Sequence, residues 1–458
     1  MAVPEPLPRI AAFEKLGFGM FIHFGLYSQL GSAEWVQSNR RIPTAEYQKL
    51  KDAFTAKDFD AEALAQLAKS AGMRYIVLTT RHHEGFSLYD TCGLNEFDAP
   101  HSPAKRDLVR EFVDACRKYD IVPFFYHTTL DWFWRNKKTN ELELDEFNEY
   151  LDYLRDSVEI LCRNYGKVGG FWFDGNWSRR DADWKLDRLY GTIRKHQPEA
   201  IIVDNTGVHR PGEVGHPEVD AVTFENQAAR PLKRDGFAKY AAAEVCQPMN
   251  CHWGVAKNDF NFKSPAEIIE LLCHSRGCGA NLLLDIGPEA QGGIPAYERS
   301  VLEIVGRWIS IYGESVYDTK TVSEVKCQGR DVLLQNGNTF YYFVFGLGIH
   351  GNANVTVNIA GIGSRAVDGF SRKIVCARWM DNGEEIQISQ NLEAGMATFR
   401  CTGYPFGSHT VVRVIKIETV EAHIPRLPLM KAGGISHDKS SVFRTRRNGD
   451  AQSGKRFP

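Results

Sequence analysis

The 458-residue chain has no uninterrupted apolar stretch near the roughly 18 residues that a membrane helix needs. Its start, MAVPEPLPRIAAFEKLGFGMF, has no basic segment leading into an apolar run. These absences predict no membrane span and no export, hence a cytoplasmic location. Neither charge dominates: 55 Lys and Arg face 57 Asp and Glu, a net −2, which excludes a global basic field for nucleic acid or an anionic membrane. The ten cysteines are scattered singly, without a CxxC pair or the spacing of a disulfide-stapled domain, and read as reduced, mostly buried thiols. There is no solenoid repeat, and neither HExxH nor a carboxylate at metal-ligand spacing.

What is present suffices for a large core, with 43% hydrophobic and 24% charged residues. Nine Trp and 17 Tyr suit a flat-faced ligand such as a carbohydrate. Short apolar runs rich in aromatic and β-branched residues alternate with amphipathic segments, the pattern of βα units around a parallel sheet. The expected strands are 17–24, 75–80, 121–127, 170–174, 200–204, 221–225 and 281–286, with helices near 60–71, 107–119, 149–164, 183–195, 265–276 and 296–312. The fold class is therefore α/β, a (β/α)8-like (TIM-type) barrel over 1–318. From about Val322 the register shortens to strands at 332–334, 339–344, 355–359, 397–401 and 410–417, predicting a small C-terminal β-sandwich over 319–420. The remainder, 421–458, reads as an extended or disordered tail.

In such a barrel the site lies at the carboxyl ends of the strands. The first run ends in FIHFG with His23; the second in LTTRHHEGF with Arg81, His82, His83 and Glu84; the fourth in FWFDGNW with Asp174. Asp174, at the tip of an apolar strand between tryptophans, is partly desolvated and suits a nucleophile, although a strand-terminal Asp-Gly also caps loops. The paired histidines suggest a metal, but neighbours on a strand point to opposite faces. Imidazoles and Arg81 donating to sugar hydroxyls fit better, and a core histidine is the plainer alternative. A glycosidic nucleophile needs a second carboxylate as acid. Glu225 ends the run AVTFENQ and Glu244 sits in AAAEVCQPMNCHWG; an ordinary ion pair and a surface carboxylate are their plainer readings.

FGMFIHFGLYS, Glu34-Trp35, GMRYIVLTTRHHEGFSLYD, FWFDGNW, WGVAKNDFNFKS and GANLLLDIGPEAQGGIP together resemble glycoside hydrolase family 29, the α-L-fucosidases, over about 18–318. The resemblance implies retaining hydrolysis without metal or organic cofactor, acting on a fucosylated oligosaccharide or glycoconjugate. It matches Asp174 to the nucleophile. It also matches His23, His82, His83, Trp172, Glu34, Trp35 and Tyr126 to sugar-contacting positions, and Trp253 to the aromatic that packs on the fucose methyl group. Family members place the acid/base on different loops; Glu244, on a loop able to move, is preferred narrowly over Glu225. Departures fall at Asn205-Thr206, where relatives carry Arg after Asn-Asp, and at Asp285, where Asn is usual. A related α-L-galactosidase, a transfucosidase, a non-catalytic carbohydrate-binding protein and a His-dependent metallohydrolase are the competing readings, and homo-oligomer formation stays open.

Overall fold

The computed structural model describes residues 3–421 apart from 206, 207, 209, 348–354, 357–363, 402, 403 and 406. The tail expected over 421–458 lies outside these residues beyond 421, as does Thr206. Eight parallel strands close into a barrel in sequence order. They are β1 Phe18–Ile22, β2 Tyr75–Arg81, β3 Val122–Thr128, β4 Gly170–Asp174, β5 Ile201–Asp204, β6 Ala221–Glu225, β7 Ala242–Pro248 and β8 Ala280–Ile286. β8 returns to pair with β1, Leu283 opposite Gly19 and Asp285 opposite Phe21.

Seven of these strands were legible as apolar runs; β7 was not. Its sequence, AAEVCQP, is rich in Ala and carries a Glu, residues depleted in strands. It is a strand because β6 and β8 flank it and closure leaves its backbone groups no other partners. This corrects the expectation that Glu244 rides on a mobile loop: it lies within β7, opposite Thr223 and Asn281.

The helices carry their own start signals. In α1 (Pro8–Glu14) a proline opens the first turn. Asp60 and Asp107 cap α2 (Ala61–Ser70) and α3 (Leu108–Lys118) by accepting from backbone amides three residues on. α4 (Leu144–Asn164), α5 (Leu186–His196), α6 (Pro265–Gly277) and α7 (Ala296–Val316) follow, α6 opened by a Ser264/Glu267 capping box. No α-helix joins β5 to β6 or β6 to β7 among the described residues. No described helix is long and apolar enough to cross a membrane.

Inside the barrel, bulky aromatics on β2–β4 (Tyr75, Phe124, Tyr126, Trp172) face small residues on β6 and β7 (Ala221, Ala242, Cys246). Phe13 of α1 plugs the amino end against Tyr75 and Phe124. Gly19 makes room for Tyr75, since a Cβ there would lie 2.4 Å from its ring. The C-terminal region forms a four-stranded and a five-stranded antiparallel sheet. They close on a core that includes Phe340, Tyr342, Ile415, Val367, Ala397 and Phe399. The outer face of the larger sheet, with Leu334, Tyr341, Phe343 and Val414, joins the main core, and Trp308 of α7 donates to the carbonyl of Val412.

Candidate active site

At the carboxyl end of the strands lies a cavity of about 180 Å³, smaller than the roughly 300 Å³ at which drug-sized pockets begin. Side chains from six strand ends and the following loops line it. Phe21 and His23 come from the end of β1, His82 and His83 from beyond β2, and Tyr126 from β3. Trp172, Asp174 and Trp177 come from β4 and its loop, Asn205 from β5, Glu225 from β6, and Trp35 and Trp253 from loops.

Asp174 ends β4 and the chain leaves the strand at once, because Gly175 has φ +107°. A side chain at 175 would come within 2.6 Å of the backbone nitrogen of Leu130. Both carboxylate oxygens of Asp174 are occupied. Trp177 Nε1 (2.8 Å) and Asn205 Nδ2 (3.2 Å) donate to Oδ1; the Tyr126 hydroxyl (3.0 Å) donates to Oδ2, and His83 Nε2 lies 3.4 Å from Oδ2. Burial by itself would push this carboxyl up, but His83, Trp177 and Asn205 outweigh it and hold Asp174 below the usual carboxylate range.

Glu225 ends β6 and is likewise followed by a left-handed residue, Asn226 at φ 52°. Its Oε2 accepts from the same Asn205 Nδ2 that serves Asp174. Asn205 Nδ2 lies 3.2 Å from Asp174 Oδ1 and 2.5 Å from Glu225 Oε2, so one amide nitrogen bridges the two carboxyls. Burial, with the negative charge of Asp174 beside it, pushes Glu225 up to about 7. The pair thus sets a carboxyl held below the usual range beside one raised to about 7, the unequal pairing that a nucleophile and an acid require.

Glu244 does not reach the cavity. It is 1% exposed inside the barrel, where its Oε1 accepts from Trp172 Nε1 (2.9 Å) and its Oε2 from the Tyr75 hydroxyl (2.6 Å). Burial pushes it also up to about 7, so electrostatics do not separate the two glutamates; position does. A strand residue two pleats below the rim cannot swing to the nucleophile as a loop residue would.

His82 and His83 both face the cavity, against the alternation expected of strand neighbours. β2 ends at Arg81 after a bulge between Thr79 and Arg81, so the histidines lie in a turn closed by the Gly85 amide on the His82 carbonyl. His82 stacks on Tyr126 (5.5 Å between centroids, 15°), and burial holds its imidazole well below the usual histidine range. His83 Nδ1 contacts Thr128 Oγ1 at 2.7 Å. Among the described residues no three His, Cys, Asp or Glu side chains converge as metal ligands.

Arg81 is not a sugar donor: it points outward to α4, donating to the Tyr153 hydroxyl (2.7 Å) and Ser157 Oγ (3.1 Å). Glu84 pins the loop after β1 through the amides of Leu26 and Tyr27 and the hydroxyl of Tyr47. Glu34 lies behind the wall instead of lining it, accepting from the Gly254 amide (2.8 Å) and so holding the loop of Trp253. His23 Nδ1 meets Asp285 Oδ1 at 2.7 Å. Burial drives His23 down to about 3 and Asp285 well up, both toward neutrality.

Sequence reading missed Phe21, Trp177 and Val208 among the lining residues, and saw Asn205 only as a departure. Phe21 shares the face of His23 by the two-residue period of a strand. Trp177 carried a fainter signal, a second tryptophan three residues past the strand-terminal Asp. The linking role of Asn205 carried none.

A family model for α-L-fucosidase matches residues 5–314. Human tissue α-L-fucosidase is 30% identical over 346 residues, 69% of this chain and 70% of that protein. In structure, α-L-fucosidase isoenzyme 1 from Paenibacillus thiaminolyticus superposes with a TM-score of 0.74 at 30% identity, over 90% of this chain and 99% of that one. A Bacteroides thetaiotaomicron GH29 α-L-fucosidase, trapped as a covalent intermediate with 2-fluoro-fucosyl fluoride, shares the fold at TM-score 0.73 and 22% identity, over 92% and 98% of the two chains. With barrel, cavity and family match in agreement, this chain belongs to glycoside hydrolase family 29, the α-L-fucosidases.

Proposed function

We propose that the enzyme removes single terminal α-L-fucose residues from glycans or glycoconjugates by double displacement, with Asp174 as nucleophile and Glu225 as acid/base. The observation that carries this reading is the shared Asn205 amide: it couples a carboxylate held ionised to one pushed up to about 7. In the first step Asp174 bonds to the anomeric carbon as the glycosidic C–O bond breaks and Glu225 gives its proton to the departing oxygen. In the second, Glu225 takes a proton from water, whose oxygen displaces Asp174 and releases fucose. The small cavity supports exo action, since one sugar ring fills it. His23, His82 and His83 supply the polar contacts for hydroxyl groups, and Trp253 with Phe21 forms an apolar wall for the C6 methyl group.

The test is hydrolysis of an aryl α-L-fucoside by wild type, Asp174→Ala and Glu225→Ala, with added azide and proton NMR of the products. Asp174→Ala should be inactive until azide yields the β-fucosyl azide, and Glu225→Ala should yield the α-azide. Full activity in either variant, or an inverted product from wild type, refutes the assignment.

A further inference from the structure

Glu244 is a buried carboxylate that the double displacement does not use. Removing such a group from water is costly, and a well-packed apolar residue is often as stabilising. It makes no ion pair among the described residues; its two oxygens are met only by Trp172 Nε1 and the Tyr75 hydroxyl. Those donors have different fates. Tyr75 is core, packed on Phe13 and Phe124, whereas Trp172 lines the cavity. Trp172 lies nearly parallel to Tyr126 (5.6 Å between centroids, 22°), and Tyr126 donates to the nucleophile. A contiguous chain therefore runs from the barrel interior through Glu244, Trp172 and Tyr126 to Asp174.

We infer that Glu244 is a positioning residue: from beneath the site it fixes the rotation of the Trp172 indole, and through the stacked Trp172–Tyr126 pair it sets the sugar platform and the phenol that serves Asp174. A buried indole N–H requires an acceptor, and a strand side chain rooted on β7 supplies one with little freedom to move. Oε1 holds the indole, while Tyr75, in the space Gly19 leaves open, holds Oε2 and so prevents the carboxylate from turning away. Loss of Glu244 would leave the nucleophile and acid in place and loosen what the sugar rests on.

This inference rests on the roles given above to Asp174 and Glu225, so the experiment includes a Glu225 variant. Full-length wild type, Glu244→Gln, Glu244→Leu, Tyr75→Phe/Glu244→Gln and Glu225→Gln are compared on two aryl α-L-fucosides, one with a good and one with a poor leaving group. Inhibition by L-fucose, the pH profile and the melting temperature are measured for each. Gln keeps an acceptor for the indole, and its amide donates to the Tyr75 oxygen, so Glu244→Gln should retain at least about a third of wild-type kcat/KM. Glu244→Leu should lose about 10- to 100-fold in kcat/KM equally on both substrates and bind fucose about tenfold more weakly, with the basic limb of the pH profile, set by Glu225, in place. Should Glu244→Leu not fold, the double variant carries the test. Its glutamine amide lacks an acceptor, and it should fall about tenfold below Glu244→Gln.

A lowered melting temperature with unchanged KM and fucose inhibition would overturn the inference in favour of a purely structural role. Loss confined to the poor leaving group in Glu244→Gln would overturn it in favour of acid catalysis by Glu244. If instead Glu225→Gln cleaves the poor-leaving-group substrate normally, the underlying assignment of the acid fails, and that is read independently of Glu244.

Discussion

Replacing Asn205 by Leu, which has the same branching and keeps the site dry, removes the one donor that Asp174 and Glu225 share. Hydrogen bonds to charged acceptors contribute about 1.5–3 kcal/mol. At about 1.4 kcal/mol per tenfold, kcat/KM should fall roughly 10- to 150-fold. The pH profile carries more information than the rate. In the proposed mechanism Glu225 must be protonated to act as acid, so activity should fall as pH rises past about 7, and Asp174 must be ionised, so activity should fall again at low pH. The Asn205 bond lowers both carboxyls. Its loss should therefore move both limbs of the profile to higher pH, the whole bell shifting upward and not merely shrinking. The assay is kcat/KM on an aryl α-L-fucoside across both limbs, with thermal melting as the control for folding. A reduced rate with both limbs unmoved would refute the shared-donor argument. Movement of the basic limb downward would refute the claim that the bond opposes burial at Glu225.

Other outcomes follow from the same geometry. Trp177→Phe retains an aromatic ring for stacking on Trp35 but loses the N–H to Asp174, and kcat/KM should drop at least about tenfold. Gly175→Ala places a side chain at φ +107° against the Leu130 backbone, so denaturant unfolding should register a loss of about 1–3 kcal/mol, with activity reduced as Asp174 is displaced. Asp285→Leu removes the partner of His23, and KM should rise about tenfold while the pH limbs stay in place. Prolonged dialysis against a chelator should leave kcat unchanged, since Thr128, Asp285 and neighbouring rings engage the cavity imidazoles and no metal-ligand set forms among the described residues.

The sequence by itself determined the barrel class, because seven strands announce themselves as apolar runs and the helices between them carry periodicity and capping residues. It also determined where to look: His23, Asp174 and Glu225 are polar residues ending apolar strands, and the barrel brings their ends together. Three things were decided only by tertiary structure. β7 is a strand through its neighbours and not through its own composition, so Glu244, legible as a loop carboxylate, sits in the interior instead. The histidine pair escapes strand alternation through a bulge that only the pairing of β2 with β3 imposes. Arg81, one residue earlier, turns outward to α4 for the same reason. Finally, the two glutamates carry similar upward shifts, and what separates them is position: Glu225, partly exposed, lies 2.5 Å from Asn205 Nδ2, whereas Glu244 is buried against Trp172 and Tyr75. That position is set by strand register across a closed barrel, a long-range quantity that no local pattern of residues encodes.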